Sequence, residues 1–246
     1  MLVLLALLLA ACSPGQGTEE IPAKPRVGLF TSLPIYWGEG DFGALLDGES
    51  EKDWVRAELE TRFELVPLDT LEPEALDGLD RVILAQPRAL APSENASFDD
   101  WVAGGGRAVI LADPMLTRHS DYPIGDRRRP QDVVLLSPIL SHWGVELLFD
   151  EAQARGERLV EWDGRTFPVN LRGSFVPVDK GRSMRACEIL ADGLAARCRR
   201  SAGEAFLFAD AALLDWEGTG PVPEVRRDAL WDIVSLIASP NPPSAD

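Results

Sequence analysis

The feature that most constrains this chain is a series of short apolar runs with no polar residue alternating through them: VGLF at 27–30, RVILA at 81–85, RAVILA at 107–112 and EAFLFAD at 204–210. A strand that is apolar on both sides must be covered on both sides, and helices lying between parallel strands supply that cover. The intervening segments fit. A helix is expected around Lys52–Arg62, ahead of a second strand FELVPL at 63–68. Another begins near Pro92-Ser93, carries Phe98, Trp101 and Val102 on one face, and stops at Gly104-Gly105-Gly106. A last helix near Pro223–Ala238 shows the stripe Val225, Ala229, Leu230, Ile233, Val234 and Ile237, opposite Arg226, Asp228 and Asp232. The expected fold is α/β, a mainly parallel sheet with helices on both faces. VELLF at 145–149, after the helical QDVVLLSPILSHWG, is expected as the fifth strand, and the irregular stretch 115–130 as a long loop.

Between Glu151 and Gly203 the pattern changes to one of antiparallel hairpins, an insertion in the parallel sheet. RLVEWDGRTFPV turns on Asp163-Gly164, and CEILADGLAARC turns on Asp192-Gly193. With a two-residue turn, Cys187 falls opposite Cys198 and Glu188 opposite Arg197, and Ile189, Ala191, Leu194 and Ala196 share the cysteine face. Directly opposed strand positions are within disulfide reach, so a Cys187–Cys198 bridge is expected; two reduced, buried thiols are the alternative.

The first residues bound the protein's location. Leu2–Ala10 are uninterrupted apolar residues, about nine where a membrane span needs roughly 20. They have the shape of a secretory signal, although no Lys or Arg precedes them. Leu9-Ala10-Ala11-Cys12 resembles the bacterial lipobox, which implies cleavage before Cys12 and a lipid on its sulfur. The expected organisation is a signal peptide at 1–11, a flexible tether rich in Pro and Gly at 12–25, one α/β domain at 26–238 and a disordered tail at 239–246. Ser13 after the cysteine resembles the sorting pattern of outer-membrane lipoproteins. The expected location is therefore the periplasmic face of the cell envelope, with the outer membrane favoured over the inner. The net charge of −16, with 24 basic against 40 acidic residues, argues against nucleic acid as a partner. The local exception is Arg127-Arg128-Arg129, flanked by Asp126 and Asp132.

In open parallel sheets, ligands bind outside the carboxyl ends of the strands. Here those ends carry Thr31, Ser32, Gln86, Asp113 and Asp210, and the loops add Tyr36, Trp37, His119 and Tyr122 as an aromatic ledge, or as plain cover for the sheet edge. Asp113 and Asp210 have two readings, an acid–base pair and simple caps of the following loops. Little else suggests chemistry. No G-x-S-x-G elbow is present, and neither His119 nor His142 lies in a ligand spacing. The triple glycine precedes a strand where a phosphate loop would precede a helix. No cofactor or metal is expected.

VGLFTSLP, the unit RVILAQPRALAPSENASFDDWVAGGGRAVILADP and the late EAFLFADAALLD together resemble the periplasmic domain of the gliding-motility-type ABC-transporter auxiliary family, over Arg26–Ala238 and least between Glu151 and Gly203. That family is similar to class I glutamine amidotransferases and flavodoxin-like folds. The resemblance implies a doubly covered sheet and partnership with an ABC permease, with a lipid on Cys12 in place of the family's usual transmembrane segments. It also implies that Gln86 stands where an amidotransferase carries its cysteine nucleophile. The expected function is a non-catalytic, lipid-anchored transport auxiliary that binds a partner protein or envelope ligand through Thr31, Ser32, Trp37, Gln86, Asp113, Tyr122 and Asp210. The alternatives are an envelope hydrolase using Asp113 and Asp210, and a purely structural lipoprotein.

Overall fold

A computed structural model describes residues 23–39, 52–178 and 187–238. Cys12, most of the expected tether and the expected tail lie outside the described residues. The apolar runs become strands β1 (Arg26–Thr31), β2 (Glu64–Pro67), β3 (Arg81–Ala85), β4 (Arg107–Leu111) and β11 (Gly203–Phe208). They join in the order β2-β1-β3-β4-β11, all parallel. Strands β10 (Ala195–Arg200) and β9 (Cys187–Leu190) extend the sheet antiparallel beyond β11, completing seven strands.

Side chains alternate between the two faces of this sheet, as strand geometry requires. In β4, Val109 and Leu111 enter one core, and Ala108 and Ile110 enter the other. The first core is closed by helices α1 (Trp54–Leu59) and α5 (Glu224–Ala238) and by the hairpin of β6 (Arg158–Trp162) and β7 (Arg165–Val169). The second is closed by α2 (Pro73–Leu76), α3 (Pro92–Ala103) and α4 (Ser137–Trp143), with β5 (Val145–Phe149) and β8 (Gly173–Pro177). The sheet is thus covered on both sides. Arg81 and Arg107, at the starts of β3 and β4, donate to the carbonyls of Ile237 and Leu236 at 2.9 Å each and so satisfy the open end of α5. Among the described residues no helix is long and apolar enough to cross a membrane.

Three expectations need correction. VELLF is a strand but does not join the main sheet; β5 pairs antiparallel with β8 as a separate two-stranded sheet. Its residues alternate between covered and exposed, Val145 buried, Leu147 and Phe149 half-buried, and Glu146 and Leu148 outward, a half-covered strand for which a doubly covered sheet has no place. Arg226 is buried, not on the solvent face of α5. Its guanidinium donates to the Ala212 carbonyl at 2.5 Å and pairs with Glu157, so a charge enters the core boundary by being fully partnered. The Cys187–Cys198 disulfide is present, with Cys187 opposite Cys198 and Glu188 opposite Arg197. Ala191 and Leu194, however, face away from the cysteines and join the other core. The turn holds Ala191 and Asp192 as well as Gly193 at positive φ, and this left-handed run breaks the alternation.

Replacing Arg226 with leucine removes its charged hydrogen bond to the Ala212 carbonyl, which keeps the Asp215 N–H at 2.9 Å, together with its pairing to Glu157, and is expected to cost about 1–3 kcal/mol in stability. Urea unfolding checks this, and an unchanged midpoint refutes the role given to this side chain.

Candidate functional site

The carboxyl ends of the parallel strands are tied together by one side chain. Gln86, fully buried just past β3, is held in the left-handed region at φ 44°. Its amide nitrogen donates to the Asp113 carbonyl at 3.0 Å and to the Gln131 carbonyl at 2.7 Å, and its amide oxygen accepts the Asp113 N–H at 2.9 Å. Its backbone carbonyl accepts the Ser32 hydroxyl at 2.5 Å, and that hydroxyl in turn accepts the Gln131 N–H at 3.0 Å. The turn after β1, the ends of β3 and β4 and the long loop are thereby fastened at one point. Thr31 is equally committed, donating to the Ala85 carbonyl at 2.7 Å and accepting the Leu33 N–H at 2.9 Å.

Asp113 and Asp210, both fully buried, accept backbone N–H groups. Asp113 takes those of Met115 at 2.8 Å and Ala211 at 3.2 Å; Asp210 takes those of Ala212 at 2.6 Å and Asn170 at 2.9 Å. Each carboxylate therefore caps its own loop and a neighbouring one. Burial pushes Asp113 up to about 6, more than its two N–H bonds hold it down. Burial, reinforced by the charge of Asp113, pushes Asp210 well above the usual carboxylate range. Neither residue lines the cleft described next.

That cleft, of about 360 Å³, opens beyond the ends of β1 and β2. Thr31 and Ser32 form part of its floor, and Tyr36, Trp37, Tyr122 and Arg128 form its rim. Of the seven residues nominated from sequence, Thr31, Ser32, Trp37 and Tyr122 meet here, whereas Gln86, Asp113 and Asp210 lie in the interior. His119 lines a neighbouring cleft with Asp53 and Arg118, 3.5 Å from Asp121. Tyr36 and Trp37 meet edge to face at 4.8 Å. Arg56 lies over the Tyr36 ring at 4.1 Å and Arg128 over the Tyr122 ring at 4.2 Å. Within the Arg127–Arg129 run two side chains are drawn into local pairs: Asp126 grips Arg128 at 2.8 and 3.1 Å, and Asp132 holds Arg129 at 2.9 Å. Sequence reasoning missed Glu39 and Asp69, which also line the cleft; no local pattern marks an acidic residue as part of a wall. Among the described residues no group of three or more His, Cys, Asp and Glu side chains is placed to hold a metal ion.

Gln86→Ala removes three side-chain hydrogen bonds and is expected to lose about 2–4 kcal/mol, measured by urea unfolding. Asp113 supplies a second test. Its folded pKa of about 6 lies above the ordinary 3.8, so the folded protein binds more protons in that window, and stability falls as pH rises from 4 to 6. In Asp113→Asn this slope should shrink whatever the absolute stability of the variant. An equal slope in both proteins rules the assignment out.

No family profile and no curated protein sequence matches this chain. Among solved structures, it is similar to the mmIFT52 N-terminal domain, at 12% identity and TM-score 0.53, over 87% of this chain and 97% of that one. It is also similar to a putative ThuA-like protein from Bacteroides uniformis, at 10% identity and TM-score 0.47, over 92% and 95% of the two chains. A third similar structure is the exo-beta-1,4-mannosidase Op5Man5 from Opitutaceae bacterium strain TAV5, at 14% identity and TM-score 0.46; the match covers 88% of this chain but spans only 35% of the mannosidase. At such identities, what is shared with the mmIFT52 domain is the fold alone.

Proposed function

We propose that this chain is a non-catalytic, lipid-anchored auxiliary component of an ABC-type transport system, whose domain binds a partner protein or an envelope ligand at the cleft beside the strand ends. The observation that carries the reading is the state of Gln86. At the position that the resemblance assigns to an amidotransferase nucleophile stands an amide whose donors and acceptor all hold the scaffold together. The order β2-β1-β3-β4-β11 is that of flavodoxin-like sheets, with the hairpins at 151–203 as an antiparallel insertion, and the cleft lies beyond the carboxyl ends of β1 and β2, at the end of the sheet where such folds take ligands. The lipid on Cys12, the tether and the outer-membrane location are carried by the sequence pattern.

The hydrolase reading draws on the raised pKa of Asp113 and Asp210, but both carboxylates are spent on backbone N–H groups and neither reaches the cleft. A purely structural role fits poorly with an open cleft that has Trp37 63% exposed on its rim.

Mild crosslinking of the tagged chain in membranes, followed by purification and identification of what accompanies it, tests the proposal, with Cys12→Ser as control. Recovery of a permease or its ATPase with the wild-type chain, and loss of membrane attachment in the control, is the expected result. A preparation free of transporter components sinks it.

A further inference from the structure

The cleft beside β1 and β2 has a composition that selects among ligand chemistries. At about 360 Å³ it falls toward the lower end of small-molecule sites, roughly 300–1,000 Å³. An anion finds little to hold it. Three amides of the turn point inward, Ser32 N–H to the Gln86 carbonyl, Leu33 N–H to Thr31 Oγ1 and Ile35 N–H to the Leu33 carbonyl, and are not offered to the cleft. Arg128 is gripped by both oxygens of Asp126, and the walls carry the carboxylates of Glu39 and Asp69.

The Tyr36 and Tyr122 rings already carry the guanidiniums of Arg56 and Arg128, so neither is left as a platform for a ligand cation. An extended peptide adding to the sheet edge would need a donor at the end of β2, where Pro67 has none.

What remains is an uncharged ligand with apolar faces and outward hydroxyls. The Trp37 indole, 63% exposed, offers a flat apolar platform at the rim. Glu39 offers an acceptor: Oε2 takes the Asp121 N–H at 2.9 Å, while Oε1 is buried without a hydrogen-bond partner. A buried carboxylate oxygen left unpaired is costly, and a hydroxyl donor relieves that cost with a short charge-assisted bond.

We infer that this cleft binds a neutral saccharide, with a sugar ring face on Trp37 and a hydroxyl donating to Glu39 Oε1. The inference rests on the reading of the cleft as a ligand site. It does not depend on the transport role.

The test uses the full-length chain in detergent and saturation-transfer NMR with neutral gluco-, manno-, galacto- and chito-oligosaccharides, alongside neutral tetrapeptides. Saturable binding of at least one saccharide is expected, with affinity falling about tenfold in Trp37→Ala, an exposed position whose replacement leaves the core intact. Glu39→Gln, which keeps the shape and removes the charge, should weaken binding more mildly. Absence of binding by every saccharide, binding that Trp37→Ala leaves unchanged, or preference for the peptides each overturns the inference. Transporter recovery without saccharide binding sinks only the ligand assignment. Saccharide binding without transporter recovery sinks only the transport role.

Discussion

A parallel sheet collects its loops at one end, and those loops must be fixed against one another without a sheet ladder to do it. In this protein Gln86 meets that need. A primary amide has two donors and a strong acceptor in one plane, and here all are used, carrying the β3–β4 pairing past the strand ends to Asp113 and adding the long loop at Gln131. The left-handed backbone at this residue turns the side chain inward and carries some strain, which the network around it holds in place. The floor of the cleft depends on this arrangement, because Ser32 is positioned by the Gln86 carbonyl and by Gln131.

The buried carboxylates extend the same logic to the other half of the sheet. Asp113 and Asp210 end adjacent strands and fasten the loops of β4, β7 and β11 through backbone N–H groups. Two buried acids, one of them raised further by the charge of the other, would be an expensive way to cap loops if both stayed charged. Shifting their proton affinity upward is how the site tolerates them. A raised carboxylate pKa here reports burial first and neighbouring carboxylates second, without a reacting substrate group.

The strands of the main sheet were legible because apolar residues without alternation have one common explanation, burial on both faces. The disulfide was legible for a similar reason, since a fixed turn leaves only one register for Cys187 and Cys198. VELLF misled because its length and apolar content match a core strand; Glu146 at its second position was the available sign of a half-exposed one. Arg226 could not be placed from periodicity, which sorts charged residues outward and has no knowledge of the Ala212 carbonyl and Glu157 waiting 14 and 69 residues away. The cleft was half legible. Strand-end topology pointed to Thr31 and Ser32, and exposed aromatics to Trp37 and Tyr122, but Glu39 and Asp69 become neighbours only once the loops have folded.

The position of β11 has a consequence for how the molecule comes into being. This late segment is an interior strand, between β4 and β10, and the helix that follows it completes the cover that α1 and the β6–β7 hairpin begin on one face of the sheet. The strands β1 to β4 therefore cannot bury that face by themselves, however long they wait. A chain emerging with its N-terminus first, whether from a ribosome or through a narrow channel, keeps the core around Val27, Ile83 and Val109 incompletely covered until α5 arrives. Completion is then a single late event that joins distant parts of the chain, a topology of slow closure. Such a chain remains threadable through most of its passage and commits to its shape only at the end.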